Sequence, residues 1–566
     1  MGYLTYLRTR LTFQHSPSAP NTPSTPPPSD MHFGSDAAKG RYRSLAGPAE
    51  PSPEPALPTP SPAPTIPAGR DWSEYAVDEV DPGAYQSTFS WRKLWRYAGP
   101  GWLMAVAYLD PGNLESDLQS GAVAGYGLIW LLLWSHVVGF VIQCLAAKLG
   151  VVTGRHLAEH ANAGYPRLAS RLLWFVAEIA IIGSDIQEII GTAVALRILL
   201  NLPLWAGVLI TAVDSFLFLL LQARGVRWLE AFFVALIATM AGCFWVEMFL
   251  SHPPVLSVLR GLAVPGVPAG SVTQAVGMVG AVIMPHNIFL HSALVMSRKI
   301  DRSPAAAHGG IREANFYFRI ESAVALALSF LINMAIMVVF ARVFYDPTQP
   351  DRALPGLYDA ADVLQRALGS RGARYLWAVG LLAAGQTSTM TGTMAGQYVM
   401  EGFWQWRVRP WQRVAITRSI ALVPSLAVAL LATGRFDSVG EILNVLQSIQ
   451  LPFALVPVLK FTSHPHVVGV FANGRFVRLV AGALTLVVLG FNAFLLVDFT
   501  GGLADAAGTP PAVAYVVLGV SAIPYLAFIG FLAWYPIDRR LSKRDPSTAS
   551  VSPSDSPKLT PQSDVE

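Results

Sequence analysis

Two short stretches of this sequence set a cation-binding residue beside a proline in the middle of apolar surroundings. The first reads Ala107-Tyr108-Leu109-Asp110-Pro111-Gly112-Asn113, the second Ala281-Val282-Ile283-Met284-Pro285-His286-Asn287. Both follow one pattern: alanine, two residues, a ligand-type residue, proline, one residue, asparagine. Proline has no N–H and clashes with the preceding turn, so a helix that carries it unwinds there. Unwinding frees backbone carbonyls, which a membrane tolerates only where they line a cavity or meet a ligand. Asp110 brings a carboxylate, whose placement at mid-depth costs about 2.5–3.5 kcal/mol on insertion scales. Asn113 brings an amide oxygen and Met284 a thioether. Oxygen donors suit hard ions, while the thioether favours softer transition metals over magnesium and calcium. The set predicts a site for iron(II), manganese(II) or a similar ion that keeps some of its water. A Pro-Gly kink or a satisfied buried acid would explain either motif alone; two in register point to a site.

A second group of acids lies at Glu178, Asp185 and Glu188. Asp185 and Glu188 are three residues apart and share a helix face. Two acids in a membrane helix point to a proton path.

The elements that must position these residues are membrane helices. Of the 566 residues, 53% are hydrophobic and 13% charged, the latter about half the share of soluble domains. Runs such as 128–145 and 231–250 approach the roughly 20 apolar residues that span a bilayer. About twelve such segments are expected, near 97–123, 127–149, 168–199, 203–222, 228–250, 269–297, 314–344, 372–404, 411–433, 439–461, 475–499 and 511–535. The two proline motifs fall in segments one and six, which implies two five-segment halves of opposite orientation. Interrupted segments at matching positions of two halves are the best sequence pointer to a transporter site.

Residues 1–90 form a separate zone, dense in Pro, Ser, Ala and Thr from 16 to 70. Such a stretch cannot bury enough surface to offset its chain entropy, and a disordered tail is expected. A second polar tail, 541–566, follows a transmembrane domain of 91–540. Lys and Arg cluster in alternate loops, at Lys148 and Arg155, Arg224 and Arg227, Arg298 to Arg312, Arg407 to Arg413, and Lys460 to Arg478. This bias places both tails in the cytosol. The loop from Asp346 to Arg374 departs from it, mixing arginines with acids. The net charge of +4 is too small and too spread out for nucleic acid. The two cysteines, Cys144 and Cys243, lie in apolar runs and read as small buried hydrophobes. No short apolar core of a signal peptide stands at the N-terminus. The polar residues of the spans hold no nucleophile–base set, metalloprotease motif or phosphate loop, which argues against an enzyme.

At these residues the chain resembles the Nramp family of proton-coupled divalent metal-ion transporters, over about residues 90–540. Asp110-Pro111-Gly112-Asn113 and Met284-Pro285-His286 look like its two site motifs. Gly385-Gln386-Thr387-Ser388-Thr389-Met390-Thr391-Gly392-Thr393, with Gly396-Gln397 and Met400-Glu401-Gly402-Phe403, resembles its signature in segment eight. Leu443-Asn444-Val445-Leu446-Gln447-Ser448 and Gln450-Leu451-Pro452-Phe453 look like the eukaryotic branch. The resemblance implies an all-α polytopic LeuT-type fold, two inverted five-helix repeats plus two C-terminal helices. It implies that Asp110, Asn113 and Met284 ligate the metal, aided by the carbonyls of Ala107 and Ala281. Asn444, where bacterial members have Gln, carries over as a site neighbour. Met284 argues against magnesium- and aluminium-handling relatives, which lack it. Asp185 and Glu188 would form the proton path, with His286 beside the site and Arg418 as a balancing charge; a buried ion pair with Arg418 is the plainer reading, and both can hold. His291, one turn beyond His286, is expected to pack structurally.

The function expected is uptake of manganese or iron, with cobalt, zinc and cadmium as further cargo, driven by protons across the plasma, endosomal or vacuolar membrane. Metal and proton are then cargo and no cofactor is required. Two other readings stay open: a sodium-coupled amino-acid transporter of the same fold, against which a metal-ligating Met facing Asp110 argues, and a membrane metal receptor that binds without flux.

Overall fold

Every one of the twelve apolar segments is helical where the computed structural model describes it. The described residues are 89–537, except 212, 214–225, 301, 303–306, 350–351, 353, 405–409, 432–435 and 508–509. Apart from Phe89 and Ser90, the two expected tails lie outside them, as does the second half of segment four.

A short helix, α1 (Trp91–Tyr97), leads into the first segment, which is cut into α2 (Pro100–Val106) and α3 (Pro111–Ala124). Then come α4 (Ile129–Thr153), α5 (Leu157–Gly164) and α6 (Arg167–Leu200). Residues 204–211 begin the fourth segment. The fifth is α7 (Val226–Leu250), followed by the loop helix α8 (Val255–Ala263). The sixth is again cut, into α9 (Val272–Val282) and α10 (Pro285–Leu294). The rest are α11 (Ala307–Val343), the loop helix α12 (Leu357–Leu368), α13 (Arg371–Trp404), α14 (Pro410–Leu431), α15 (Phe436–Gln450), α16 (Pro452–Ser463), α17 (Arg475–Ala507) and α18 (Pro511–Trp534). This is the all-α, LeuT-type architecture: two five-segment repeats, each opening on a broken span, then two further helices.

Among the described residues seven stretches are long and apolar enough to cross a membrane by length and composition. The first segment, cut into halves of 7 and 14 residues, is not among them. Segment eight is long enough, at 34 residues, but the Gln, Thr and Ser of its signature lower its hydropathy. Segment ten bends without unwinding: Leu451 keeps helical angles, and Pro452, having no N–H, interrupts only the hydrogen-bond ladder.

Helices α6 and α13 pack closely along their length. A Cβ built on Gly385 would lie 2.1 Å from Thr192 Oγ1, and one on Gly392 2.7 Å from Asp185 Oδ1. As one residue number rises the other falls, so the helices run antiparallel. The two signature glycines mark where they touch. Helix α11 lies along α2, α3 and α4.

The start of α2 is held by buried charge. Glu321 on α11 accepts the backbone N–H groups of Gly99, Gly101 (2.9 Å) and Trp102 (3.4 Å), filling donors that a helix N-terminus leaves open. Fully buried Arg298 pairs with Glu230 at 2.7 Å and donates to the Ala98 carbonyl. Gly99 sits at φ 143, where its missing side chain makes room for Glu230. In the loop that mixes arginines with acids, Arg374 pairs with Asp362 at 2.7 Å, and Arg352 lies 3.9 Å over the Phe344 ring.

Candidate metal site at the two broken helices

In each broken span the proline stands four residues after an alanine. An α-helical carbonyl bonds the N–H four residues on, so Pro111 and Pro285 deprive Ala107 and Ala281 of their helical donors. Helix α2 ends in tight turns instead: the N–H groups of Ala107, Tyr108 and Leu109 reach back three residues, at 3.1, 3.1 and 2.9 Å. Carbonyls at this break also accept from other helices. Ser329 and Asn333 of α11 donate to Ala105 (2.9 Å) and Tyr108 (2.7 Å). Asn287 of α10 donates to the Ala107 carbonyl at 3.2 Å. The second broken span is thus bonded directly to the first. Ala107 and Ala281 lie at or near C-terminal ends of half-helices, where the helix dipole is negative and favours a cation.

Asp110 and Met284 occupy the same place, each the N-cap of its second half-helix. The Asp110 carboxylate accepts from the Asn113 backbone N–H at 2.7 Å and from the Asn113 side-chain amide at 3.0 Å. Capping alone is worth about 0.5–2 kcal/mol and is done as well by neutral Ser or Asn, so it does not account for a buried charge. Met284 makes no cap bond at all; a thioether is a poor substitute for Ser or Asp there, and helix stability does not explain it. Asp110, Asn113 and Met284 are 3%, 0% and 1% exposed. Asn113 Oδ1 has no hydrogen-bond partner among the described residues. A buried acceptor left open beside a carboxylate suits a cation. Among the described residues no group of three or more His, Cys, Asp or Glu stands together, and the donors the two breaks carry are mixed: one carboxylate, one amide oxygen and one thioether.

Asn444 on α15 lies near both broken spans, through Gln187 and beside Gly280. Its side-chain oxygen accepts from Gln187 Nε2 at 2.8 Å. Its backbone carbonyl would lie 3.4 Å from a Cβ on Gly280, next to Ala281. Gln187 is a centre that sequence reasoning missed. Its amide also donates to the Gly440 carbonyl (3.1 Å), and its oxygen accepts from Gln447 (2.8 Å). A Cβ on Gly112 would lie 2.9 Å from that oxygen. Gln187 therefore holds α15 against the first break. A cavity of about 20 Å³, lined by Pro111, Glu115, Gln187 and Gly440 among others, lies beside it, enough for about one water.

Asp185 and Glu188 flank Gln187 on α6. Both are buried and both face Gly392 of α13. Glu188 also accepts from Ser184 at 2.9 Å. His286 is buried next to Pro285, and its Nδ1 has no hydrogen-bond partner among the described residues. Arg418 lies on α14, which packs on α6, but its side chain is outside the described residues. His291 bonds Gln143, whose amide donates to the Tyr108 hydroxyl at 3.2 Å, the structural role expected of it. Two further residues of the site were not singled out. Asn287 stands where Asn113 stands in the other motif, a signal that was present. Asp117 is fully buried, with neither carboxylate oxygen hydrogen-bonded among the described residues. It is seven residues, about two turns, beyond Asp110 on the same helix face.

Two broken helices that meet at their breaks, inside a polytopic helical fold, define a membrane transporter of the inverted-repeat kind. Comparisons narrow the class. The family profile described as Natural resistance-associated macrophage protein-like matches residues 101–498. The "Metal transporter nramp1 homolog" of Dictyostelium discoideum is 52% identical over 425 residues, 74% of this chain and 78% of that protein. "Natural resistance-associated macrophage protein 1" of Sus scrofa is 46% identical over 525 residues, 88% of this chain and 94% of that protein. Among solved structures, the Eremococcus coleocola manganese transporter in complex with an aromatic bis-isothiourea substituted compound has a TM-score of 0.70 and 31% identity, over 83% of this chain and all of that one. The chain belongs to the Nramp family, whose members are transporters and not enzymes.

Proposed function

We propose that this chain carries manganese(II) or iron(II) into the cytosol together with protons. The observation that carries the reading is the Asn287–Ala107 hydrogen bond. It ties the two breaks at the level where Asp110, Asn113 and Met284 offer a carboxylate, an amide oxygen and a sulfur. The names of the relatives, metal transporters and a manganese transporter, support the same cargo.

In this reading the metal reaches Asp110 from the outer or luminal side, and Ala107 and Ala281 add carbonyl oxygens. Its charge favours the ionised carboxylate. The displaced proton passes by His286 to Asp185 and Glu188, with Arg418 balancing their charge, and leaves toward the cytosol. A potential of 100 mV adds about 2.3 kcal/mol per charge moved. The first repeat then rocks against its partner and opens the site inward. Residues 91–540 are the transport unit in the plasma, endosomal or vacuolar membrane, with both tails cytosolic.

The test is uptake into proteoliposomes with internal pH recorded, for manganese, iron, calcium and magnesium. Manganese and iron should enter with internal acidification. Asp110→Ala protein that inserts normally should carry neither. Equal uptake by that variant would refute the site, and metal binding without flux in the unmodified protein would favour the receptor reading.

A further inference from the structure

Away from the two breaks, a cavity of about 460 Å³ opens between the end of α4, the first turns of α11 and the start of α17. Its polar lining includes Lys148, Arg312, Arg319 and Asn473, and among the described residues no carboxylate lines it. Asn473 is fixed by its own bonds: its backbone N–H donates to the Thr462 carbonyl (3.0 Å), and its amide donates to Thr462 Oγ1 (2.8 Å) and Ser463 Oγ (3.1 Å). It accepts from the Lys148 ammonium, which keeps further donors for a ligand. Arg312 and Arg319 are seven residues apart and stand on one face of α11. Both are exposed, and neither makes an ion pair among the described residues. The nearest acid in sequence, Glu313, is taken by Lys93 at 2.6 Å. Three cations around one recess, with no carboxylate among its described lining, favour an anion from outside it.

The rim says which kind. Phe316 and Val477 line the same cavity and are themselves exposed. Phe316, Val324 and Leu331, spaced by eight and seven, continue as an exposed apolar row along α11. In a membrane-spanning helix that row faces acyl chains. A water-soluble anion would find only half of the site useful, whereas an anionic lipid fills both parts. We propose that this recess binds the headgroup of an anionic phospholipid, with an acyl chain along the Phe316–Leu331 row. Basic pockets between membrane helices on the cytoplasmic side take phosphorylated headgroups in this way, and the Lys and Arg distribution puts all three surrounding loops on that side. The assignment is independent of metal transport.

The experiment uses the purified full chain, with native mass spectrometry of retained lipid and binding of short-chain phosphatidylinositol 4-phosphate. Phosphatidylcholine and free inositol 1,4-bisphosphate serve as the neutral lipid and the lipid-free headgroup. The protein should retain anionic lipid selectively. Arg312→Gln with Arg319→Gln should weaken the short-chain lipid by about 25-fold, roughly fivefold for each charge, while the exposed Arg371→Gln control leaves it unchanged. Equal binding by the double variant, or an equal loss in the control, would overturn the site. Inositol bisphosphate binding as tightly as the lipid would overturn the lipid assignment in favour of a soluble phosphate ligand. Manganese uptake measured on the same preparations reports separately on the proposed transport activity.

Discussion

Asn287, two residues past the second proline, donates to the carbonyl of Ala107, four residues before the first, at 3.2 Å. The bond spans the two repeats and makes the breaks one structure. Asn287→Ala would leave a buried carbonyl without its donor, at a cost of about 1–3 kcal/mol. The expected result is a lower melting temperature of the purified protein and weaker manganese binding. An unshifted melting curve would show that the bond does not hold the breaks together.

Met284 supplies the one soft donor of the proposed set, and its place at the N-cap brings the helix no capping bond. Met284→Ala is expected to lower the preference for manganese over calcium by roughly tenfold, about 1.4 kcal/mol. Competition by calcium against manganese uptake measures this; unaltered selectivity would remove the assigned role.

Gly392 marks a close approach of α13 to the Asp185 and Glu188 pair. A methyl group there must displace Asp185 or part the helices. Gly392→Ala should cut proton-coupled uptake at least about tenfold, the equivalent of 1.4 kcal/mol. Gly490→Ala is the control, because a Cβ at that position meets nothing within 4 Å. Equal uptake by the two variants would contradict the packing.

Asp185→Asn separates proton flow from metal flow. It removes a titrating group while keeping the shape of the α6–α13 contact. The expectation is slower manganese entry with little internal acidification. A variant that acidifies the vesicle as the unmodified protein does would place the proton path elsewhere.

Much of this site could be read in the sequence because it rests on local rules. The prolines, the ligand types before them and the asparagines after them recur at fixed spacing, and helix geometry turns that spacing into position. The face shared by Asp185 and Glu188 followed the same way. What could not be read is who meets whom across the bundle. Gln187 bonds Asn444 257 positions away, and Asn287 bonds a backbone atom 180 positions away; no periodicity encodes such pairs. The signature glycines were legible as a string, yet their cause, the antiparallel contact of α6 and α13, appears only when both helices are in place. Asp117 was passed over because an acid without a proline beside it carries no sign of what surrounds it.

The direct test is anomalous scattering from crystals soaked in manganese. One peak is predicted, between the Asp110 carboxylate and the Met284 sulfur and within reach of the Asn113 amide oxygen. A peak elsewhere, or Asp110 and Met284 facing apart around no shared ion, would contradict the account.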